Sequence, residues 1–558
     1  MKIKGEKITK ILSLSAMKLK NTISCHLQTA WLMFSVISGF VAPCIYGQSD
    51  NTLKVERWDI YEVSLVGPAE GNPYMDIEIS SVFENDQEKI SVPGFYDGNG
   101  MYRIRFSPNK LSSWSYVTQS NHAKLNGQRG SFECIPPSNN NHGPVKIVNT
   151  HYLEYADGTP FYCVGTTAYQ WTSVKQSIQE TTLQTLATSP FNKVRMCVFP
   201  KHYKYGNDTE PWALPFERQG DVNDPTRPNY IFFQNFDKRV HQLLEMGIQA
   251  DVILFHPYDK WGFFELGKEM NERYVRYMIA RLSAYRNVWW SLANEWDVPR
   301  IKDAIDWEGI GELLQREDPH QRLRGIHIWY YDESHFYDHS RPWITHISAQ
   351  SYFFFNAAKW RNKFEKPLLF DEMRYEGDVS SDWGNMNAKE MTSYFWQAGL
   401  SGIYGTHGET YQNSSDPDTE VRWWAKGGTL LGNSSDRIAF FRQIMEEAPV
   451  SEMKPQLMRL SDERVSENVP DKNFKDLVAR LNHNIYTLSK AGEYYLVYSK
   501  DSGQKIELFL AGDQNYDLQV IDTWNMKIVS ETTVKPGAFE YISQIPYMAM
   551  RLVSKPQE

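Results

Sequence analysis

The sequence is poor in cysteine, with five in 558 residues: Cys25, Cys44, Cys134, Cys163 and Cys197. The first two fall in an N-terminal leader, and the other three cannot all pair with one another. Each of those three sits in an apolar, strand-like run, which suits buried free thiols better than a disulfide framework. No CxxC or HExxH pattern occurs, so nothing indicates a dedicated zinc site. Positive charge is scarce as well. Lys and Arg number 59 against 68 Asp and Glu, a formal net charge of −9. Counterion release from a nucleic-acid backbone needs a basic face, so no nucleic-acid partner is expected. After the leader no run approaches the ~18 apolar residues of a membrane helix. Internal repeats and low-complexity tracts are lacking too, and no feature speaks to oligomeric state.

Aromatic residues, by contrast, are abundant: 18 Trp, 32 Tyr and 28 Phe, within a hydrophobic fraction of 41%. That is ample for buried cores and excludes a disordered chain. Flat apolar rings also suit the C–H faces of sugars. The length implies two to four domains. At the N-terminus, Lys2, Lys4, Lys7, Lys10, Lys18 and Lys20 precede the apolar run "AWLMFSVISGFVAPCIYG". This is the pattern of a secretory signal, with cleavage after Gly47 and Met17 as a more typical start. The expectation is therefore a secreted or periplasmic protein. Cys44 raises lipoprotein anchoring as an alternative, with Pro43 before it a poor fit.

Residues 48–143 read as a β-sandwich: "KVERWDIYEVSLVG", "YMDIEISSVFEN", "GFYDGNGMYRIRFSP", "SWSYVTQSN" and "GSFECIPP" alternate apolar and polar residues between turn signals. From 144 to 447 apolar runs alternate with helical patterns, as βα units do. Eight candidate strands can be counted, opening at "FYCVGTTAYQW" and closing at "GLSGIYGTHGETY". The helical pattern "FFQNFDKRVHQLLEMG" puts Phe236, Val240, Leu243 and Leu244 on one face, with Gly247 as its stop. The fold class expected is an α/β protein: a (β/α)8 barrel flanked by β domains. Residues 448–558 return to short alternating strands and form a C-terminal β-sandwich-like domain.

Function in such a barrel sits at the C-terminal strand ends. In order these offer Tyr169 and Trp171, Arg195 and His202, His256 and Tyr258, and Asn294 and Glu295. His327 and Trp329, Gln350 and Tyr352, Glu372, and His407 and Glu409 follow. One carbohydrate pocket accounts for all of them together. Glu295 and Glu372 lie 77 residues apart, at the ends of strands four and seven. Those strands face each other across the mouth. Carboxyls about 5 Å apart suit a retaining glycosidase, and about 6.5–9.5 Å an inverting one. For the strand-seven carboxylate the rivals are Asp371, which strand alternation turns away, and Glu376, further along the loop. His256 and His407 could equally cap strand ends, and Asp259, Asp297 and Glu409 could be solvated loop charges.

Asn294-Glu295 after "VWWSLA", matched by Glu372 in "KPLLFDE", resembles clan A retaining glycoside hydrolases, the family 5-like (β/α)8 enzymes. More narrowly the chain resembles the bacterial apiosidase-like group. There a β-sandwich carrying "GNPYMDI" and "GFYDGNGMYRIRFSP" precedes a barrel opening with "YADGTPFYCVGTTAYQW". The resemblance implies Glu295 as acid/base and Glu372 as nucleophile. Asn294 would bind the sugar 2-OH, and Arg195 and Tyr352 would hold the nucleophile ionised. Substrate contacts are expected from Tyr169, His256, Trp329 and His407, with Trp289, Trp290 and Trp296 as apolar surroundings for Glu295. One departure is the lack of a Trp ending strand eight, where "YGTHGETY" stands instead. No metal or organic cofactor is implied, and the partner is a carbohydrate substrate. Two alternatives stay open: a non-catalytic carbohydrate-binding barrel, and a metal-dependent hydrolase built on His202, His256, His327 and His407.

Overall fold

Eight short parallel strands close into a barrel in the computed structural model, which describes residues 53–203, 210–329, 333–412, 423–456 and 485–555. Residues 1–52, with Cys25 and Cys44, lie outside the described residues. The strands are β1 (Val164–Thr167), β2 (Lys193–Cys197), β3 (Gln249–Phe255) and β4 (Val288–Ala293). They continue as β5 (Arg324–Gly325), β6 (Ile347–Gln350), β7 (Leu368–Glu372) and β8 (Tyr404–His407). Each hydrogen-bonds to the next, β8 pairs with β1, and a parallel bridge from His327 to Ser348 joins β5 to β6. Every residue of β2, β3 and β4 is buried, because the barrel fills their inner side and helices cover their outer side.

The helices that follow are α1 (Gln176–Ala187), α2 (Tyr230–Glu245), α3 (Lys268–Leu282) and α4 (Trp307–Glu317). After β6, β7 and β8 come α5 (Phe354–Phe364), α6 (Ala388–Leu400) and α7 (Ser435–Glu447). The fifth unit departs from the expected eight: among the described residues only a 3-10 turn, Glu333–His335, stands between β5 and β6. In α2 the face carrying Phe236, Val240, Leu243 and Leu244 is buried. Gly247 just past it adopts φ 71°, the left-handed turn that stops a helix.

Before the barrel, seven strands from Lys54 to Ile135 fold around their own core, which includes Phe83, Tyr102, Phe106, Trp114 and Phe132. The expected strand "YMDIEISSVFEN" is shorter than its pattern, since Pro73–Asp76 form a helical turn and the strand begins at Ile79. A buried ionic network ties this layer to the barrel. Arg105 donates to Asp237 on α2 at 2.7 Å, and Arg281 on α3 donates to both Asp237 (2.7 Å) and Asp97 (2.9 Å). The C-terminal strands, from Ile485 to Ser554, dock on α6. Tyr498 stacks on Trp396 at 5.7 Å and donates to Ser393, while Tyr486 donates to Gln397. Cys134, Cys163 and Cys197 are free and buried. Among the described residues no helix is long and apolar enough to cross a membrane.

Candidate active site

The stretch "VWWSLANE" shows how a strand delivers a carboxyl to the mouth. Trp289 faces inward, its indole donating to Gln249 and Lys193 lying 5.7 Å from its ring. Trp290 faces the helices and donates to Asp318. Trp296 packs on Tyr337. Alternation sends Trp289 and Trp290 below and outside the mouth, so of the three expected around Glu295 only Trp296, its chain neighbour, lies past the strand end. Glu295 itself adopts φ 57°, a left-handed conformation a non-glycine residue rarely takes. It is buried and accepts a hydrogen bond from the Tyr258 hydroxyl. Burial first, and then the charge of Glu372, push its carboxyl up to about 8.

Glu372 ends β7 and sits in a different setting. Its Oε1 accepts from the Tyr169 hydroxyl and from Arg195 Nη1 at 3.3 Å. Arg195 Nη2 also donates to Asn294 Oδ1 at 3.1 Å, and the Tyr169 hydroxyl lies 3.0 Å from the same oxygen. Arginine can only donate, so Asn294 must turn its oxygen to Arg195 and its amide nitrogen the other way. Among the described residues that buried Nδ2 has no protein hydrogen-bond partner, nor have the two ring nitrogens of His327 or the indole nitrogen of Trp424. His327 Nε2 lies 3.9 Å from Glu372 Oε1, and burial holds its imidazole neutral, well below its usual range.

Asp371 also faces inward, which corrects the expectation from alternation. Ala349 pairs with Phe370 but Gln350 with Glu372, so Asp371 is the extra residue of a β-bulge. It accepts from Lys193 (2.6 Å), Ser348 (2.5 Å) and Thr406 (2.9 Å), and burial is outweighed by Lys193 and Arg195, which hold it low. Lys193 also reaches Asp251 at 2.9 Å. A layer of paired charges therefore underlies the mouth where apolar side chains usually fill such barrels.

Of the residues singled out from sequence, the structure brings together Tyr169, Arg195, Asn294, Glu295 and Glu372, with His327 beside them. Others have partners of their own. Both ring nitrogens of His256 are taken by backbone, Nε2 by the Phe199 carbonyl (3.0 Å) and Nδ1 by the Tyr258 amide (3.1 Å). His407 stacks on Phe191 at 4.8 Å and meets Thr166. Tyr352 packs on Phe353 and Tyr394, with Arg374 over its ring. Trp329 lies at the rim, 43% exposed, its amide donating to Asp297. The charges weighed as solvated are buried instead: Asp259 accepts from the Trp261 and Phe263 amides, Glu409 from Gly432 and Asp297 from Trp329. The histidines of the metal alternative do not converge, and no group of three or more metal-ligating side chains occurs among the described residues.

Sequence reasoning missed Lys201, Trp424 and Tyr375. The indole missing from the end of β8 is supplied by Trp424, from the short helix Trp423–Lys426, against Tyr169 (6.0 Å) and Tyr375 (5.9 Å). Gly408 makes room for Tyr375, whose ring would lie 1.8 Å from an added Cβ. The Tyr375 hydroxyl is raised by burial and then by the charge of Glu372.

Comparison with known proteins places the class. Residues 148–452 match the family model "Apiosidase-like, catalytic domain". Residues 54–121 and 483–553 match two domains of unknown function, DUF5060 and DUF5605. A crystal structure of a candidate glycoside hydrolase from Bacteroides vulgatus ATCC 8482 is 34% identical, with a TM-score of 0.78 over 90% of this chain and 100% of that one. A family 5 glycoside hydrolase from the same organism shares the fold at 16% identity, TM-score 0.54, over 74% of this chain and 93% of that one. No curated protein matches significantly. Fold, site and family together define a glycoside hydrolase built on a (β/α)8 barrel. The chain belongs to the apiosidase-like catalytic-domain family.

Proposed function

We propose that this is a secreted retaining glycoside hydrolase, cleaving O-glycosidic bonds of a plant, algal or host polysaccharide or oligosaccharide by double displacement. Glu372 attacks the anomeric carbon while Glu295 gives its proton to the leaving oxygen. Glu295 then takes a proton from the water that releases the sugar. The inequality of the two carboxyls carries the glycosidase reading, and the retaining course rests on the resemblance of Asn294-Glu295 and Glu372 to the clan A pattern. Glu295 is raised to about 8 and so holds a proton at neutral pH, whereas Glu372 faces two hydrogen-bond donors suited to a carboxylate.

In this reading Asn294 presents its unpaired Nδ2 to the sugar 2-OH, and His327 and Trp424 offer their unpaired nitrogens to other hydroxyls. The nucleophile is held by Arg195 and Tyr169. Trp329 at the rim offers a ring face to a further sugar. His256 acts indirectly, fixing the turn that carries Tyr258. Secretion rests on the leader's composition. Glu372→Ala should lose nearly all activity, and azide should partly restore it by forming a glycosyl azide of inverted configuration. Absence of rescue on an activated aryl glycoside that the wild type cleaves counts against the nucleophile.

A further inference from the structure

Four residues past the end of β2, Lys201 is buried between aromatic rings. Its Nζ lies 3.8 Å from the ring centre of Tyr169, 4.5 Å from Tyr258 and 5.2 Å from Trp424. Two of these rings have partners that matter: the Tyr169 hydroxyl donates to Glu372, and the Tyr258 hydroxyl to Glu295. The ammonium thus sits over the two phenols that hold the two candidate catalytic carboxyls. Among the described residues it makes ring contacts but no ion pair. A buried ammonium is costly unless negative charge lies near enough to compensate it.

The charges around it show what compensates it. Lys193 pairs with Asp371 and Asp251, and Arg195 with Glu372 and Asp251. Asp297, the next carboxylate along from Glu295, pairs with His335 at 3.1 Å. When Glu295 holds its proton, the cations Lys193, Arg195 and Lys201 face Asp251, Asp371 and Glu372, and Asp297, whose partner His335 is charged only when protonated, adds a fourth carboxylate. The total charge is unchanged by the proposed reaction. In the first step Glu372 becomes a neutral ester as the bond to the leaving oxygen breaks, and the proton of Glu295 goes to that oxygen. One negative charge has moved from Glu372 to Glu295. In the second step water bonds to the anomeric carbon, its proton returns to Glu295, and the ester bond breaks to restore the Glu372 carboxylate.

We propose that Lys201 is a positioning residue that acts as the fixed counter-charge for this travelling negative charge, serving Glu372 in the free enzyme and Glu295 in the glycosyl-enzyme. The inference rests on the retaining mechanism proposed above. Burial lowers the Lys201 ammonium, and Glu295, then Cys197 and Glu372, oppose that while Arg195 adds to it. Facing Glu295 are Glu372 on β7, Lys201, Tyr258 after β3, and Asp297; Glu372 raises it and Lys201 draws it down.

The test compares two neutral variants, Lys201→Met and Lys201→Gln, with Lys201→Arg. Each is first checked by thermal melting and then assayed on an activated aryl glycoside cleaved by the wild type. Glu295 must be protonated for the first step, so wild-type kcat/KM should fall above about pH 8. Without the Lys201 charge that basic limb should move up by about one pH unit. Deglycosylation, which needs ionised Glu295, should slow about tenfold or more. The neutral variants should therefore show a burst of released phenol and a glycosyl adduct on the peptide containing Glu372. Lys201→Arg should restore the wild-type limb and abolish the burst. The proposal is overturned if both neutral variants keep the wild-type limb and accumulate no adduct, with loss confined to KM, as a substrate-binding lysine would give. It is equally overturned if Lys201→Arg shifts the limb as they do. Failure of the retaining mechanism is a separate outcome, visible in the wild type alone as an inverted product.

Discussion

Tyr169 ties together residues whose work is interdependent: its hydroxyl serves Glu372, touches Asn294 and accepts from Arg195 at 3.2 Å. A donor that orients a reacting carboxylate acts through positioning, where a misplacement of about 1 Å can cost about 10²-fold in rate. Tyr169→Phe should accordingly lower kcat by roughly that factor while leaving the melting temperature nearly unchanged, because the ring still packs on Trp424. A loss of less than about threefold would show that the hydroxyl is dispensable. At this scale Asn294, Glu295 and Glu372 were legible because the motif is local: an apolar strand must surface where its polar tip begins. Lys201 was not, since nothing in "FPKHY" says that rings from Tyr169, Tyr258 and Trp424 will enclose its charge.

Among the elements, β7 carries the most chemistry for its length, and its bulge lets Asp371 and Glu372 both point inward. Asp371 holds the buried end of Lys193 by a 2.6 Å ion pair. Breaking a buried pair costs up to roughly 3–5 kcal/mol, and without Asp371 the buried Lys193 keeps Asp251 as its carboxylate partner. Asp371→Ala should therefore lower unfolding stability by up to that amount in denaturant titration; an unchanged midpoint would contradict the buried-charge account. Strands β3 and β4 were visible as apolar runs, since strands covered on both faces read as continuous hydrophobic stretches. The bulge was hidden, because alternation assumes a regular strand and an inserted residue breaks the period. The fifth helix was expected from the rhythm of its neighbours, and the 3-10 turn at Glu333–His335 stands in its place.

At the scale of the whole molecule, the β layers on either side of the barrel hold the outer helices. Arg105 reaches Asp237 across 132 residues, and Arg281 reaches Asp97 across 184. Such pairs cannot be read from sequence, where each is one charge among many. The change from alternating strands to βα rhythm was readable, as was the return to β, because each follows hydrophobic period rather than contact. What this scaffold fixes is the unequal treatment of two carboxyls: Glu295 raised by burial and by Glu372, and Glu372 held by Arg195 and Tyr169. The central proposal is that these two carboxyls act by double displacement. It is tested most directly by proton NMR of the first-formed sugar, recorded within minutes of adding wild-type enzyme to a cleavable glycan from a screening panel. Retention of the anomeric configuration is the predicted result, and a product that first appears inverted would contradict the account.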